Sequence, residues 1–384
     1  KVAEIFNQYL SKGKKVLLEG RLELEQWEDQ NGNKRSKHSI TCESFEFVEG
    51  KDSIIQAQSG CGKTGTFSIA ALQLVDESKK VCQIIILEPT RELADQSFIV
   101  VKRLSEYLDL KISGVTGGKK LNNADVASSQ IIVGTPGRVY DMIDRGIISM
   151  DTMKLFILDE ADQLLKPGFK EQIIEIFNFV PPETQIAIYS ATMPNDILEI
   201  STNFMKNPIK ILIKKEMLTL DGIKQYFIAL MTEQDKFDTL TDLYESIAAG
   251  QSIIYCSSKK KVSWLTEQMT LAQYPVSSIH GEMTQADRDI VMREFRKGET
   301  RVLITTDLLA RGIDVQQVSL VINYDLPRDK ESYIHRIGRT GRYGRKGWAI
   351  NFIMQSDVGN LKDIESFYNT QIDEMPATIE GLIN

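Results

Sequence analysis

From residue 51 onward the chain alternates short apolar runs with longer stretches of helical period, and it does so in two successive sets. The first set of runs is Ser53–Gln56, Gln83–Leu87, Gln130–Val133, Leu155–Leu158 and Gln185–Ser190. The second is Ser252–Cys256, Val276–Ile279, Val302–Thr305, Leu320–Asn323 and Ala349–Ile353. Runs this apolar need cover on both faces, as central strands of a parallel sheet between helix layers have. Strand and helix alternating through two sets predicts two α/β domains. The polar stretch Lys214–Gln225 lacks periodicity and separates them, so the domains are drawn as 50–215 and 216–384.

Composition narrows the function classes. Among 384 residues, 46 are Lys or Arg and 53 are Asp or Glu, a net charge of −7. That balance speaks against coating nucleic acid or membrane through bulk positive charge, though a local basic track is compatible with it. No apolar stretch approaches the roughly 18 residues of a membrane span, so no membrane partner is expected. Cys42, Cys61, Cys82 and Cys256 are scattered without a CxxC pair, which argues against cysteine-held structural zinc and for a reducing compartment. Position 1 is Lys, so the start is expected to lie upstream. With no signal segment visible, a cytoplasmic location is expected, a nuclear one being the alternative.

The first 50 residues follow a different pattern. Val2–Leu10 reads as a short amphipathic helix, and Lys15–Trp27 and Lys37–Val48 alternate as strands around Asn31-Gly32. Asn-Gly supplies the positive φ angles that a tight hairpin turn requires. One helix and one hairpin are therefore expected.

Ser59-Gly60-Cys61-Gly62-Lys63-Thr64 follows one strand run and opens a helical one. Glycines let backbone N–H groups wrap phosphate oxygens, and the helix N-terminus favours negative charge. Lys63 is then the group for the β- and γ-phosphates, and Thr64 a ligand of Mg²⁺. The loop has Ala57 where the usual pattern has Gly. Asp159-Glu160-Ala161-Asp162 ends the run Leu155–Leu158. A carboxylate at that strand end suits Mg²⁺ (Asp159), and its neighbour Glu160 suits orienting or deprotonating a water. ATP and Mg²⁺ are the expected cofactors.

Across residues 50–384 the chain resembles the DEAD-box RNA helicases, and within them the initiation-factor-4A group. The motifs come in order: Ala57–Thr64 (AQSGCGKT), Pro89–Ala94 (PTRELA), Thr135–Arg138 (TPGR), Asp159–Asp162 (DEAD), Ser190–Thr192 (SAT), Gln285 with Arg288, Thr306–Asp314 (TDLLARGID) and His335–Arg342 (HRIGRTGR). The resemblance implies two RecA-like domains closing over ATP and RNA. It implies Arg339 and Arg342 as arginine fingers, and Asp314 as a contact to the nucleotide ribose. Ser190, Thr192 and His335 are implied to couple nucleotide state to RNA grip. Arg91, Gly118, Thr135, Arg138, Gln285, Arg288, Thr306 and Arg311 are implied to hold the RNA backbone. Backbone contacts carry no sequence information, so binding should be sequence-tolerant and salt-sensitive. The implied activity is local, ATP-coupled strand separation by a monomer on single-stranded or weakly paired RNA. Scaffold proteins of translation or RNA-processing complexes are the implied protein partners.

Three departures stand out. Cys61 occupies a position where many relatives have Thr, and a thiol at a helix N-terminus can be reactive. Glu88 precedes PTRELA where Ala is usual, putting a carboxylate beside the RNA path or pointing it to solvent. The aromatic and Gln motif that recognises adenine is missing from residues 1–50, which instead resemble the second half of a bacterial single-stranded-DNA-binding protein, an incomplete OB-fold. The join falls near Glu49-Gly50 and reads as a chimera. Trp27, Lys34, Arg35 and Lys37 on the hairpin suit single-stranded nucleic acid, yet the segment holds eight basic against nine acidic residues. The motifs favour an enzyme with a role in translation. Two alternatives stay open: a nuclear RNA-processing relative, and a non-catalytic clamp disabled by loss of the adenine motif.

Overall fold

The computed structural model describes residues 16–28, 34–47, 51–57, 62–193, 195–212, 223–246, 250–307, 318–340 and 347–376. Two strands stand apart from the rest: β1 (Val16–Glu28) and β2 (Lys34–Phe47) form an antiparallel hairpin. Its register sets Leu22 opposite Ile40 and Trp27 opposite Arg35, with an irregularity at Glu19/Gly20. Among the described residues this hairpin joins neither of the larger sheets. The expected helix Val2–Leu10 and the Asn31-Gly32 turn lie outside the described residues.

The first large sheet holds β3 (Ser53–Gln56), β4 (Ile84–Leu87), β5 (Ile112–Val115), β6 (Ile131–Gly134), β7 (Leu155–Leu158), β8 (Gln185–Ser190) and β9 (Ile209–Ile211). Their spatial order is β5-β6-β4-β7-β8-β3-β9, every pair parallel. The second holds β10 (Ile223–Ala229), β11 (Gln251–Tyr255), β12 (Val276–Ile279), β13 (Val302–Thr305), β14 (Val318–Asn323), β15 (Gly347–Ile353) and β16 (Asp373–Glu374). Its order, β12-β13-β11-β14-β15-β10-β16, repeats the first strand for strand. The α/β reading with two parallel sheets is borne out.

Alternation within single strands explains why these runs are apolar throughout. Ile85 and Leu87 pack into one core of the first half, and Ile84 and Ile86 into the core on the opposite face. In the second half Ile253 and Tyr255 face one core and Ile254 the other. Successive side chains point to opposite faces, so a strand between two helix layers has no polar side to show.

The four strands without a sequence signal are β5, β9, β10 and β16. All carry half-buried or exposed positions, as edge and near-edge strands do. β10 also claims Ile223–Gln225 from the end of the stretch read as linker.

Gly134 closes β6 against β5. A Cβ there would sit 2.3 Å from the Val115 carbonyl oxygen and 2.6 Å from Val139 Cγ2. Because one obstacle is backbone, no rotamer change relieves it. Gly134→Ala should lower stability by about 1–3 kcal/mol, read as a reduced urea midpoint.

Candidate active site

The candidate residues follow the carboxyl ends of the strands, where open parallel sheets bind ligands. In the first sheet the strand order divides them. Arg91, Gly118, Thr135 and Arg138 follow β4, β5 and β6 on one side, while Lys63, Asp159, Ser190 and Thr192 follow or end β3, β7 and β8 on the other. The nucleotide candidates and the nucleic-acid candidates thus occupy adjoining halves of one sheet edge.

On the nucleotide side, Gly62 adopts φ 96°, a left-handed turn that admits glycine readily, and the helix Lys63–Leu74 starts at once. Lys63 is buried and donates to Glu160 Oε1 at 3.2 Å. Burial alone would depress the Lys63 ammonium, but Glu160, Asp159 and Asp162 outweigh it and hold the charge firmly on. Asp159 Oδ1 accepts from the Glu160 N–H at 2.9 Å. Burial, opposed by Lys63 and reinforced by Glu160, pushes the Asp159 carboxyl up to about 7. Glu160 itself has φ 49°, a strained setting for a residue with a Cβ. Ser59, Gly60, Cys61, Arg311, Asp314 and Arg342 lie outside the described residues.

Asp162 is the meeting point of the two halves. Its Oδ2 accepts from Thr192 Oγ1 at 2.7 Å and lies 2.8 Å from His335 Nε2. Ser190 Oγ accepts from the backbone N–H groups of Asp162 and Thr192, each at 3.4 Å. Thr192 and His335 therefore converge on the Asp162 carboxylate, while Ser190 accepts from the Asp162 backbone N–H. Arg339 is buried, and its Nε donates to the His335 carbonyl at 3.1 Å.

The nucleic-acid candidates form smaller groups. The Arg91 guanidinium lies against Gly117 and Gly118, where an added Cβ would come within 2.9 and 3.0 Å of it. Gly118 has φ 82°, a left-handed turn that favours glycine. Thr135 precedes Pro136 at a helix start, and Arg138 pairs with Asp141 at 2.5 Å. In the second half, Gln285 and Arg288 lie on the first turn of the helix Gln285–Lys297, capped by Thr284. The Thr306 hydroxyl is buried without a hydrogen-bond partner, which leaves it able to take one from a ligand.

Three residues with roles here carry no sequence signal for them. Glu92 Oε1 accepts from Gln285 Nε2 at 3.2 Å and Arg288 Nη1 at 3.4 Å, a second bridge across the halves. Its place in PTRELA puts it at this cleft, but its partners lie some 190 residues away, beyond the reach of local patterning. Arg336, one of the basic residues of HRIGRTGR and given no role there, is almost wholly buried. Glu88, for which a solvent-facing position was an alternative, is also fully buried. Ser97 Oγ donates to its Oε1 at 2.5 Å, and Oε2 has no partner.

Burial, with the charges of Asp159 and Glu160 added, raises the Glu88 carboxyl well above the ordinary carboxylate range. Folding therefore takes up a proton at Glu88 between the unfolded value and the raised one, and this residue's contribution falls as pH rises through that window. Glu88→Gln should raise the melting temperature at pH 7.5 and leave it nearly unchanged at pH 4. Equal shifts at both values would show that Glu88 does not carry this linkage.

Comparison with known proteins agrees with this geometry. Residues 38–200 match the DEAD/DEAH box helicase family, residues 235–344 the helicase conserved C-terminal domain, and residues 1–48 the single-strand binding protein family. The ATP-dependent RNA helicase eIF4A of Aspergillus niger is 55% identical over 339 residues, covering 88% of this chain and 85% of the relative. That of Kluyveromyces lactis is 56% identical over 340 residues, covering 88% and 86%. The solved structure of S. cerevisiae Dbp5 bound to RNA and ADP BeF3 is similar with a TM-score of 0.80 and 37% identity, covering 84% of this chain and 85% of that one. With its strand order, its ordered motifs and more than half of the aligned residues identical to those of eIF4A proteins, this chain belongs to the DEAD-box helicase family.

Proposed function

We propose that the chain is an RNA-dependent ATPase and ATP-dependent RNA helicase that separates short duplexes locally, in an eIF4A-like role in translation. The observation that carries this reading is the convergence on Asp162: one carboxylate of the DEAD motif is held by Thr192 of its own half and by His335 of the other. A nucleotide bound at Lys63 thereby adjoins the contact that joins the halves, and closing the halves brings the two sets of nucleic-acid candidates together.

The donor set fits Mg²⁺. Asp159 is a buried carboxyl just past the end of β7, beside the Glu160 carboxylate, and burial, opposed by Lys63, holds it up to about 7. Thr64 and Asp159 would hold the cation, which supplies charge neutralisation for the transferring phosphoryl group when bound. Lys63 holds the β- and γ-phosphate oxygens of ATP, which loosens its pairing with Glu160. Glu160 then orients the attacking water and takes its proton at a carboxylate oxygen. Arg339 stabilises charge on the departing phosphoryl group from the opposite half; Arg342 is assigned the same task. Arg91, Gly118, Thr135, Arg138, Gln285, Arg288, Thr306 and Arg311 hold the RNA backbone, with Asp314 on the ribose of the nucleotide.

Phosphate release measured with ATP and with GTP, each with and without single-stranded RNA, tests this. RNA should stimulate turnover, and the chain should discriminate between ATP and GTP less than a relative with the adenine motif. RNA binding with no hydrolysis of either nucleotide would favour the clamp.

A further inference from the structure

A file of polar side chains cuts through the second-half core in which Val321, Ala349, Ile353 and Ile337 pack. Asn323 ends β14, Asn351 stands opposite it in β15, and Gln225 lies in β10. Tyr333 and Arg336 come from the helix Lys330–Ile337, three residues apart and so on one face of it. All five are buried. Arg336 Nη1 donates to Asn323 Oδ1 at 3.0 Å, and Asn323 Nδ2 donates to Asn351 Oδ1 at 2.8 Å. Asn351 Nδ2 donates to the Tyr226 carbonyl at 2.8 Å and to the Tyr333 hydroxyl at 3.4 Å. That hydroxyl donates to Gln225 Oε1 at 2.8 Å, and Gln225 Nε2 donates to Thr370 Oγ1 at 2.9 Å.

Chemistry at two points fixes the direction of the file. A guanidinium can only donate, and a backbone carbonyl can only accept. Asn351 must therefore turn its nitrogen to Tyr226 and its oxygen to Asn323. Asn323 must in turn present its oxygen to Arg336. Neither amide can flip without setting nitrogen against nitrogen and oxygen against oxygen. Stability alone does not call for such a file, because apolar side chains of the same shape can replace a paired buried polar set at little cost. What the file supplies is one direction for the Arg336 fork. The fork holds both Asp307 carboxylate oxygens, and Asp307 follows Thr306, whose buried hydroxyl has no partner among the described residues.

We propose that Asn323, Asn351, Tyr333 and Gln225 are positioning residues for RNA binding: they aim Arg336, which sets Asp307 and with it the Thr306 hydroxyl at the nucleic-acid face. The four act through Arg336 rather than on the RNA itself. The last link rests on the reading of Thr306 as an RNA contact.

Asn351→Leu and Tyr333→Phe in the full chain test this, the second keeping the shape of the ring should the first fail to fold. The Arg336 Nε–H, identified in a proton–nitrogen NMR spectrum by its loss in Arg336→Lys, should exchange with water at least about 3-fold faster in both. The RNA concentration for half-maximal ATPase stimulation should rise about 2- to 10-fold, with the RNA-free rate and the KM for ATP unchanged. In an Arg336→Lys background, where the fork is already lost, neither substitution should add to the RNA effect. Unchanged Nε–H exchange in both variants, or RNA effects that add in full to that of Arg336→Lys, would overturn the proposal. Thr306→Val, which leaves the file intact, reports on the contact itself. Weaker RNA binding in Thr306→Val alone would overturn the positioning role and keep the contact. Weaker binding in the two file variants but not in Thr306→Val would uphold the positioning role and remove Thr306 from the RNA contacts, so the two readings fail separately.

Discussion

Glu160→Gln should lower RNA-stimulated phosphate release by about 10²–10⁴-fold while leaving nucleotide-dependent RNA binding in place. The substitution keeps the shape of the side chain and the left-handed backbone at position 160, where φ is 49°. What it removes is the negative charge that pairs with Lys63 at 3.2 Å and that accepts a proton from water. The contacts that join the halves at Asp162 do not involve the lost charge. The variant should therefore close on RNA with ATP and stall there. Single-turnover phosphate release and RNA binding, measured on the same preparation, separate the two effects. Turnover within about threefold of wild type would exclude general-base work at this position.

The largest stability effect is expected at Arg336. Its Nε and Nη2 donate to the two Asp307 carboxylate oxygens at 2.5 and 2.7 Å, and its Nη1 donates to Asn323 Oδ1 at 3.0 Å and to the Asp325 carbonyl at 2.7 Å. The guanidinium also lies 5.1 Å over the Tyr255 ring. Removing the partner of a buried charge typically costs about 3–5 kcal/mol. Asp307 is partly exposed here, so the figure belongs at the lower end, with most of the loss from the stranded Asn323 and Asp325 acceptors. Arg336→Met should thus destabilise the second half by about 3 kcal/mol. Arg336→Lys should recover little, since a point charge does not reproduce a planar fork. Chemical denaturation of both variants checks this, and losses under about 1 kcal/mol would mean that water replaces these bonds. The same fork ties Asp307, next to Thr306, to the helix that carries His335, so weakened RNA stimulation should accompany the lost stability.

Much of this protein is legible from sequence because its information is local. Ile84–Leu87 and Leu155–Leu158 announce themselves as central strands because both faces are covered. Gly62 and Gly118 sit where a positive φ is needed, and the chemistry-bearing residues follow strand ends. What sequence does not convey depends on pairing across distance. β5, β9 and β16 gain strand structure from a neighbour's ladder rather than from their own pattern. Glu92 looks like a helix-start acid until Gln285 and Arg288 are brought to it. Glu88 looks like a surface charge because a carboxylate is rarely buried, and only Ser97 and its fold position give it an interior place. Charge counting fails for the same reason: Arg336 is one basic residue among several in HRIGRTGR by sequence and part of a buried network by structure.

The hydrophobic clusters among the described residues belong wholly to one half or the other. The side-chain bridges between the halves named above, Asp162 with His335 and Glu92 with Gln285 and Arg288, are polar. Parting these contacts uncovers charged and amide groups rather than core, so the step carries little of the heat-capacity change that accompanies exposure of apolar surface. The proposed cycle between open and closed forms is thereby insulated from the temperature dependence that governs unfolding, with salt expected as its stronger control.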